Sequence, residues 1–211
     1  MTTDPLNVAL RDKYSKTGRF YDLLDYPFEL MYRSWRPGLL SDVRGRVLEA
    51  GVGTGHNLPF YHESVSLCGV DLSPVMLARA QKKSKQARCE VELKIEDATE
   101  LSSLADNEFD WVFSTFMCCV MPDDLQPQAL KQFARVLKPG GKFRLLEVVF
   151  SGDSSIEKWQ RRASRLVEKL YGARLDRQTV AHIEAEPGLK VTNTRYLKWG
   201  SYLLIDGVAV P

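Results

Sequence analysis

Short apolar runs alternate along this chain with stretches of helical periodicity. Runs of strand length lie at 46–50, 66–71, 90–95, 111–115 and 142–148, and two more at 190–197 and 202–210. Helical patterns fall between them near 75–85, 125–137 and 155–171, with a short one near 179–184. Strands that alternate with helices predict an α/β fold built on a largely parallel sheet.

The punctuation fits these limits. Ser73 is placed to cap a helix whose first residue is Pro74, where a missing N–H costs nothing. Lys138, Pro139, Gly140 and Gly141 stop the next helix and turn the chain into a strand. Residues 1–40 scatter Tyr14, Phe20, Tyr21, Tyr26, Phe28, Tyr32 and Trp35 among charges, a pattern of amphipathic helices laid on the core. With no linker, repeat or low-complexity tract, residues 1–211 read as a single domain, with a helical cover at 1–40 and a helical insertion at 150–180.

Composition narrows the class. Hydrophobic residues make up 44% and charged residues 27% of 211, as expected of a folded domain. The 29 basic and 27 acidic residues leave a net charge of +2, which gives no support to a nucleic-acid partner. No run approaches the roughly 18 apolar residues needed to cross a bilayer, and the N-terminus lacks the apolar centre of a secretory signal. A cytoplasmic protein is expected. Cys68, Cys89, Cys118 and Cys119 have no metal-ligand or redox spacing, so buried thiols are expected and no metal is.

The chemistry begins where the first strand runs into Glu49-Ala50-Gly51-Val52-Gly53-Thr54-Gly55. A glycine-rich turn at the carboxyl end of a parallel strand marks a nucleotide-type cofactor site. A dinucleotide fingerprint would need its third glycine at position 56, which is His56 here. Glu49 is also ill-suited to a pyrophosphate; it suits a cofactor with a cationic amino group and a sulfonium. Asp71 ends the second strand, where a carboxylate can accept from both ribose hydroxyls. Asp97 follows the third strand and opens toward the same face, within reach of an adenine amino group.

With these residues in place the chain resembles the class I S-adenosylmethionine (SAM) dependent methyltransferases over nearly its whole length. Residues 49–55 match the family's E/D-x-G-x-G-x-G motif, Asp71 its ribose acid and Asp97 its adenine acid. Phe109-Asp110-Trp111-Val112 resembles its fourth strand, and residues 135–141 its R-x-L-K-P-G-G segment. The resemblance implies a Rossmann-like sheet of seven strands, mostly parallel with the last antiparallel and helices on both faces. It also implies SAM as cofactor and S-adenosylhomocysteine (SAH) as product. The implied cofactor residues are Tyr21, Glu49, Ala50, Gly51, Gly53, Gly55, Asn57, Asp71, Leu72, Met76, Asp97, Ala98, Ser114 and Thr115. His56 is expected to flank them without a chemical role.

Within the family, 20–24 resemble the start of quinone-type methyltransferases, 57–61 occur in phospholipid N-methyltransferase-like members, and 172–179 and 205–210 resemble the thiol methyltransferase-like branch. A small or lipid-like, largely apolar acceptor is expected, a thiol first, with a quinol or a phospholipid amine as alternatives. A SAM-binding partner protein without turnover is the alternative from another class. Methyl transfer from a sulfonium asks mainly for alignment, so a catalytic side chain is not obligatory; Glu147, ending the fifth strand, is the candidate base, or else the partner of a lysine or arginine. The pattern at 155–171 places Ile156, Trp159, Ala163, Leu166, Val167 and Leu170 opposite Arg161, Arg162, Arg165 and Lys169. It reads as a cover on the core, as a lid over an apolar acceptor, or as a membrane-surface helix.

Overall fold

The computed structural model describes residues 4–18 and 21–210, with the side chains of Thr17, Tyr21, Leu24 and Asp25 outside the description. Seven strands form one sheet: β1 Gly45–Ala50, β2 Val65–Asp71, β3 Glu90–Ile95, β4 Phe109–Thr115, β5 Leu137–Val148, β6 Leu189–Leu197 and β7 Tyr202–Ala209. Their order is β3-β2-β1-β4-β5-β7-β6. β1 to β5 pair in parallel, and β7 runs antiparallel to both β5 and β6. The implied seven-stranded sheet with its last strand antiparallel is the sheet observed.

Strand alternation divides the apolar residues between two cores. Leu48, Cys68, Val112 and Phe143 point to one side of the sheet, where α4 (Gln126–Val136) and α6 (Thr179–Ala185) pack through Leu130, Phe133 and Ile183. Val47, Leu67, Trp111 and Phe113 point to the other, against α2 (Tyr21–Leu39) and α3 (Pro74–Ser84) through Leu39, Leu77 and Ala80. Each fully buried leucine, valine, isoleucine or phenylalanine among them contributes about 1.5–3 kcal/mol. α3 starts as its sequence dictates: the Ser73 hydroxyl accepts from the Met76 N–H, with Pro74 at the first position.

The N-terminal cover is α1 (Pro5–Thr17) followed by α2, and the insertion is α5 (Ser154–Tyr171). Several limits move from expectation by one or two residues, and one strand start by more. The helix at 125–137 is shorter by one residue at each end, and the strand expected at 142–148 begins at Leu137. Leu137 already pairs with Phe109, so the glycine pair bends a strand in place of ending a loop. No helix among the described residues is long and apolar enough to cross a membrane.

The chain runs outward from β1 through β2 to β3, then returns to lay β4 on the other side of β1. That reversal opens a crevice beyond the carboxyl ends of β1 and β4.

Candidate active site

A cleft occupies this crevice. From the sheet it takes Gly51, Gly53, Asp71, Asp97 and Thr115, each at or just past a strand end. Asn57, Leu72, Met76 and Ala98 line it as well, as does His56. Gly53 has φ +55°, and the space where a Cβ would sit holds only a backbone oxygen at 3.9 Å, so the bare backbone faces the cleft.

Four expected cofactor residues stand elsewhere. A Cβ on Gly55 would lie 2.7 Å from Leu58 and 3.0 Å from the Ala80 backbone, so this glycine lets the turn close on α3. Ala50 and Ser114 are fully buried and off the cleft wall. Glu49 lies behind Asn57, whose amide donates to Oε1 at 2.7 Å. Tyr21 opens α2, but its side chain falls outside the described residues.

The three carboxylates differ in their surroundings. Burial pushes the Glu49 carboxyl up to about 7. The Tyr61 hydroxyl stands near it without a well-aligned hydrogen bond. Burial also raises Asp71, to about 6, although its oxygens accept from the Gly53 N–H at 2.9 Å and the Ser73 N–H at 2.8 Å. Asp71 therefore sets the shape of the turn as well as facing the cleft. Asp97 accepts from the Thr99 N–H and hydroxyl at 2.9 and 2.7 Å and from the Asn7 amide at 2.8 Å. It meets a ligand only with the lone pairs that remain.

Asn7 was not among the expected residues. It arrives on α1 with Leu10 and Tyr14, a three-and-four spacing that lays one helix face on the cleft. That spacing was the available signal. α2 adds Tyr32 and Arg36 and is fixed to the glycine turn by Asp22. The Asp22 carboxylate accepts from the Thr54 hydroxyl at 2.7 Å and Arg79 at 2.7 Å, and meets His56 at 3.1 Å and Lys83 at 3.2 Å. Burial alone would raise its pKa, but the hydrogen bonds from His56, Thr54 and Arg79 hold it far below the usual carboxylate range.

A second cavity of about 610 Å³ lies beyond the cleft, between α2, α5 and the β4–α4 loop. The two share Tyr32, Phe116 and Val120 as a common wall. The Tyr32 and Phe116 rings stand 4.6 Å apart, and Tyr202 lies 5.7 Å from Tyr32. Phe116 adopts a left-handed backbone, φ +61°, pinned by its N–H on the Leu146 carbonyl at 2.7 Å. Such strain in a bulky residue persists where the surroundings enforce it, typically at a site. Among the described residues no carboxylate, imidazole, lysine or arginine lines this second cavity.

Glu147 lines neither space. Its Oε1 accepts from the Cys118 N–H at 3.0 Å and its Oε2 from the Cys119 N–H at 2.7 Å. Both oxygens are committed to holding the β4–α4 loop, so neither the expected base nor the expected ion pair describes it. Burial raises its carboxyl to about 7. Cys118 and Cys119 are buried, and burial raises both thiols well above their ordinary value, which leaves them inert packing groups.

A family model described as a methyltransferase domain matches residues 47–141. A phosphatidylethanolamine N-methyltransferase of Cereibacter sphaeroides is 36% identical over 136 residues, covering 62% of this chain and 66% of that protein. The ubiquinone/menaquinone biosynthesis C-methyltransferase UbiE of Bdellovibrio bacteriovorus is 30% identical over 146 residues, covering 65% of this chain and 61% of its own length. The chain thus spans just under two thirds of these curated relatives. In fold it is similar to the magnesium protoporphyrin IX methyltransferase (ChlM) of Synechocystis PCC 6803 with bound SAH, at TM-score 0.68 and 15% identity, over 96% of this chain and 99% of that one. The matched domain holds the glycine turn and the carboxylates of the cleft, and the sheet is completed as in that structure, so residues 47–141 form a methyltransferase domain of the class I SAM-dependent type.

Proposed function

We propose that this chain transfers the methyl group of SAM to a lipid-like acceptor whose nucleophile is an amine. The observation that carries the reading is the shared wall of Tyr32, Phe116 and Val120 between a polar cofactor cleft and a large apolar cavity.

The cleft residues fit SAM. Asn57 lines the cleft; its Oδ1 and, behind it, Glu49 Oε2 are buried acceptors with no well-formed hydrogen bond among the described residues. Two waiting acceptors suit a cationic ammonium. The buried Arg36 guanidinium, held by Glu29 at 2.7 Å, is the cation beside them and suits a carboxylate. Asp71 would hold the ribose, and the wall of Asp97, Ala98 and Asn7 the adenine. When bound, SAM supplies a methyl group already activated by a sulfonium.

The apolar cavity then selects the acceptor by its protonation. Low-dielectric surroundings without charged side chains favour the neutral form of any group. A neutral amine has a free lone pair and is ready to attack. A neutral thiol or quinol is a poor nucleophile and would need a base, which none of the described residues lining this cavity offers. The amine is also the acceptor type in the name of the Cereibacter sphaeroides relative. A quinone relative keeps the quinol as the second choice. The thiol expected from the late-chain segments gains no support from either relative.

Turnover assays with SAM and phosphatidylethanolamine, a prenylated quinol or a long-chain thiol, read by mass spectrometry, should give methylated amine lipid. Asp71→Asn should weaken SAM binding in calorimetry by tenfold or more, as expected for lost charge-assisted hydrogen bonds. Turnover of the thiol or quinol alone, or of protein or RNA alone, would overturn the amine reading. Absence of SAM uptake would overturn the whole.

A further inference from the structure

We infer that the mouth of the apolar cavity docks on an anionic lipid surface through α5. This rests on the lipid-like acceptor proposed above only for its purpose; the surface itself is argued from α5 and its neighbours.

α5 buries none of its residues fully. Its inner side, with Ile156, Ala163 and Val167, walls the cavity. Beside that wall runs a stripe of Trp159, Leu166 and Leu170, spaced by seven and four, with Trp159 72% and Leu166 60% exposed. Solvent exposure of this much contiguous apolar side chain marks a contact surface. The next stripe around the helix is Lys158, Arg162, Arg165 and Lys169, spaced by four, three and four, all exposed. None of these four has an ion-pair partner among the described residues.

The helix's other charges turn away from that stripe. Glu157 pairs with Arg161 at 2.7 Å, and Arg161 stacks over Phe150 at 4.5 Å. The Glu168 carbonyl accepts from Lys13 of α1 at 2.8 Å. An apolar stripe flanked by four unpaired cations matches the layering of a bilayer surface, with hydrocarbon below and anionic headgroups above.

A second tryptophan extends the surface. Trp199 lines the same cavity and is 63% exposed. Its left-handed backbone, φ +61°, turns it out, and Lys198 lies over its ring at 4.5 Å. Tryptophan is favoured at membrane interfaces because its ring is apolar and its N–H stays wet. Trp159 and Trp199 thus rim the opening through which an acyl-chain acceptor would pass.

The test is co-sedimentation of the full chain with phosphatidylcholine vesicles, with and without phosphatidylglycerol, in the absence of SAM and of any amine lipid. The chain should partition onto the phosphatidylglycerol vesicles, and rising salt should release it. Arg162→Gln and Arg165→Gln should each cost roughly fivefold in partition. Leu166→Glu should abolish it, and Arg88→Gln, an exposed cation away from α5, should change nothing. None of these side chains lines either cavity, and their exposure keeps the fold intact. Equal partition onto both vesicle types, or unchanged partition of the Arg162 and Arg165 variants, would overturn the inference. So would a concentration-dependent dimer lost in Leu166→Glu without vesicle binding, which would assign the stripe to a second copy. Parallel calorimetry with SAM separates the two readings: vesicle binding without SAM uptake defeats the proposed function alone, and SAM uptake without vesicle binding defeats the surface alone.

Discussion

Glu147 illustrates how little a position at a strand end says about a side chain's task. In the sequence it occupies the place of a base; in the fold it caps the N–H groups of Cys118 and Cys119. The loop it holds carries Phe116 and Val120, two of the three residues shared by cleft and cavity. Glu147→Ala would leave two buried donors unpaired, at about 1–3 kcal/mol each. Urea unfolding should show a loss of about 2–5 kcal/mol, while the folded fraction still takes up SAM. A variant of unchanged stability and no activity would return Glu147 to the role of base. Gly55 teaches the same lesson in reverse: it belongs to the motif by sequence, yet its task is packing on Ala80.

Among the helices, α2 and α5 carry most of what the pattern left open. Periodicity marked 1–40 as amphipathic cover, but not that α2 would be tied to the glycine turn. Asp22 makes that tie through Thr54, His56, Arg79 and Lys83, residues of two other elements. Hydrogen bonds to a charged group contribute about 1.5–3 kcal/mol. Asp22→Ala should therefore lower stability by about that amount, weaken SAM binding, and speed amide exchange across 21–39 more than across β1 and β4. Equal exchange in both proteins would show that α2 needs no such tie. For α5 the three readings of its pattern stood open because helical spacing records two faces without saying what lies against either. The fold supplies that: one face walls the apolar cavity, and the other meets solvent.

Taken as one titrating body, the protein buries, among its described residues, three carboxyls raised above their ordinary values: Glu49 and Glu147 to about 7 and Asp71 to about 6, each chiefly by burial. Within the window from the unfolded values up to those raised ones, the folded state holds protons that the unfolded chain has released. Stability from these groups is full below the unfolded values and is lost as pH rises through the folded ones. Asp22 acts oppositely: its pKa is depressed, so its contribution is present above the unfolded value and lost in acid. Thermal melts without cofactor should show the midpoint falling between about pH 5 and about pH 8. A midpoint that climbs across this range would contradict the raised values. Sequence was sufficient for the strands and a largely parallel sheet, because strand-length apolar runs and glycine punctuation are local. Its resemblance at residues 49–55, Asp71 and Asp97 implied the antiparallel last strand and the cofactor, because those residues stand at or just past the ends of successive strands. Folding in three dimensions assigned Asn7, Tyr32 and Arg36 to the cleft, moved Glu49, Gly55 and Ser114 behind its wall, and opened the apolar cavity. These depend on which helix face packs where, and that is set by contacts between residues far apart in the chain, which no local pattern encodes.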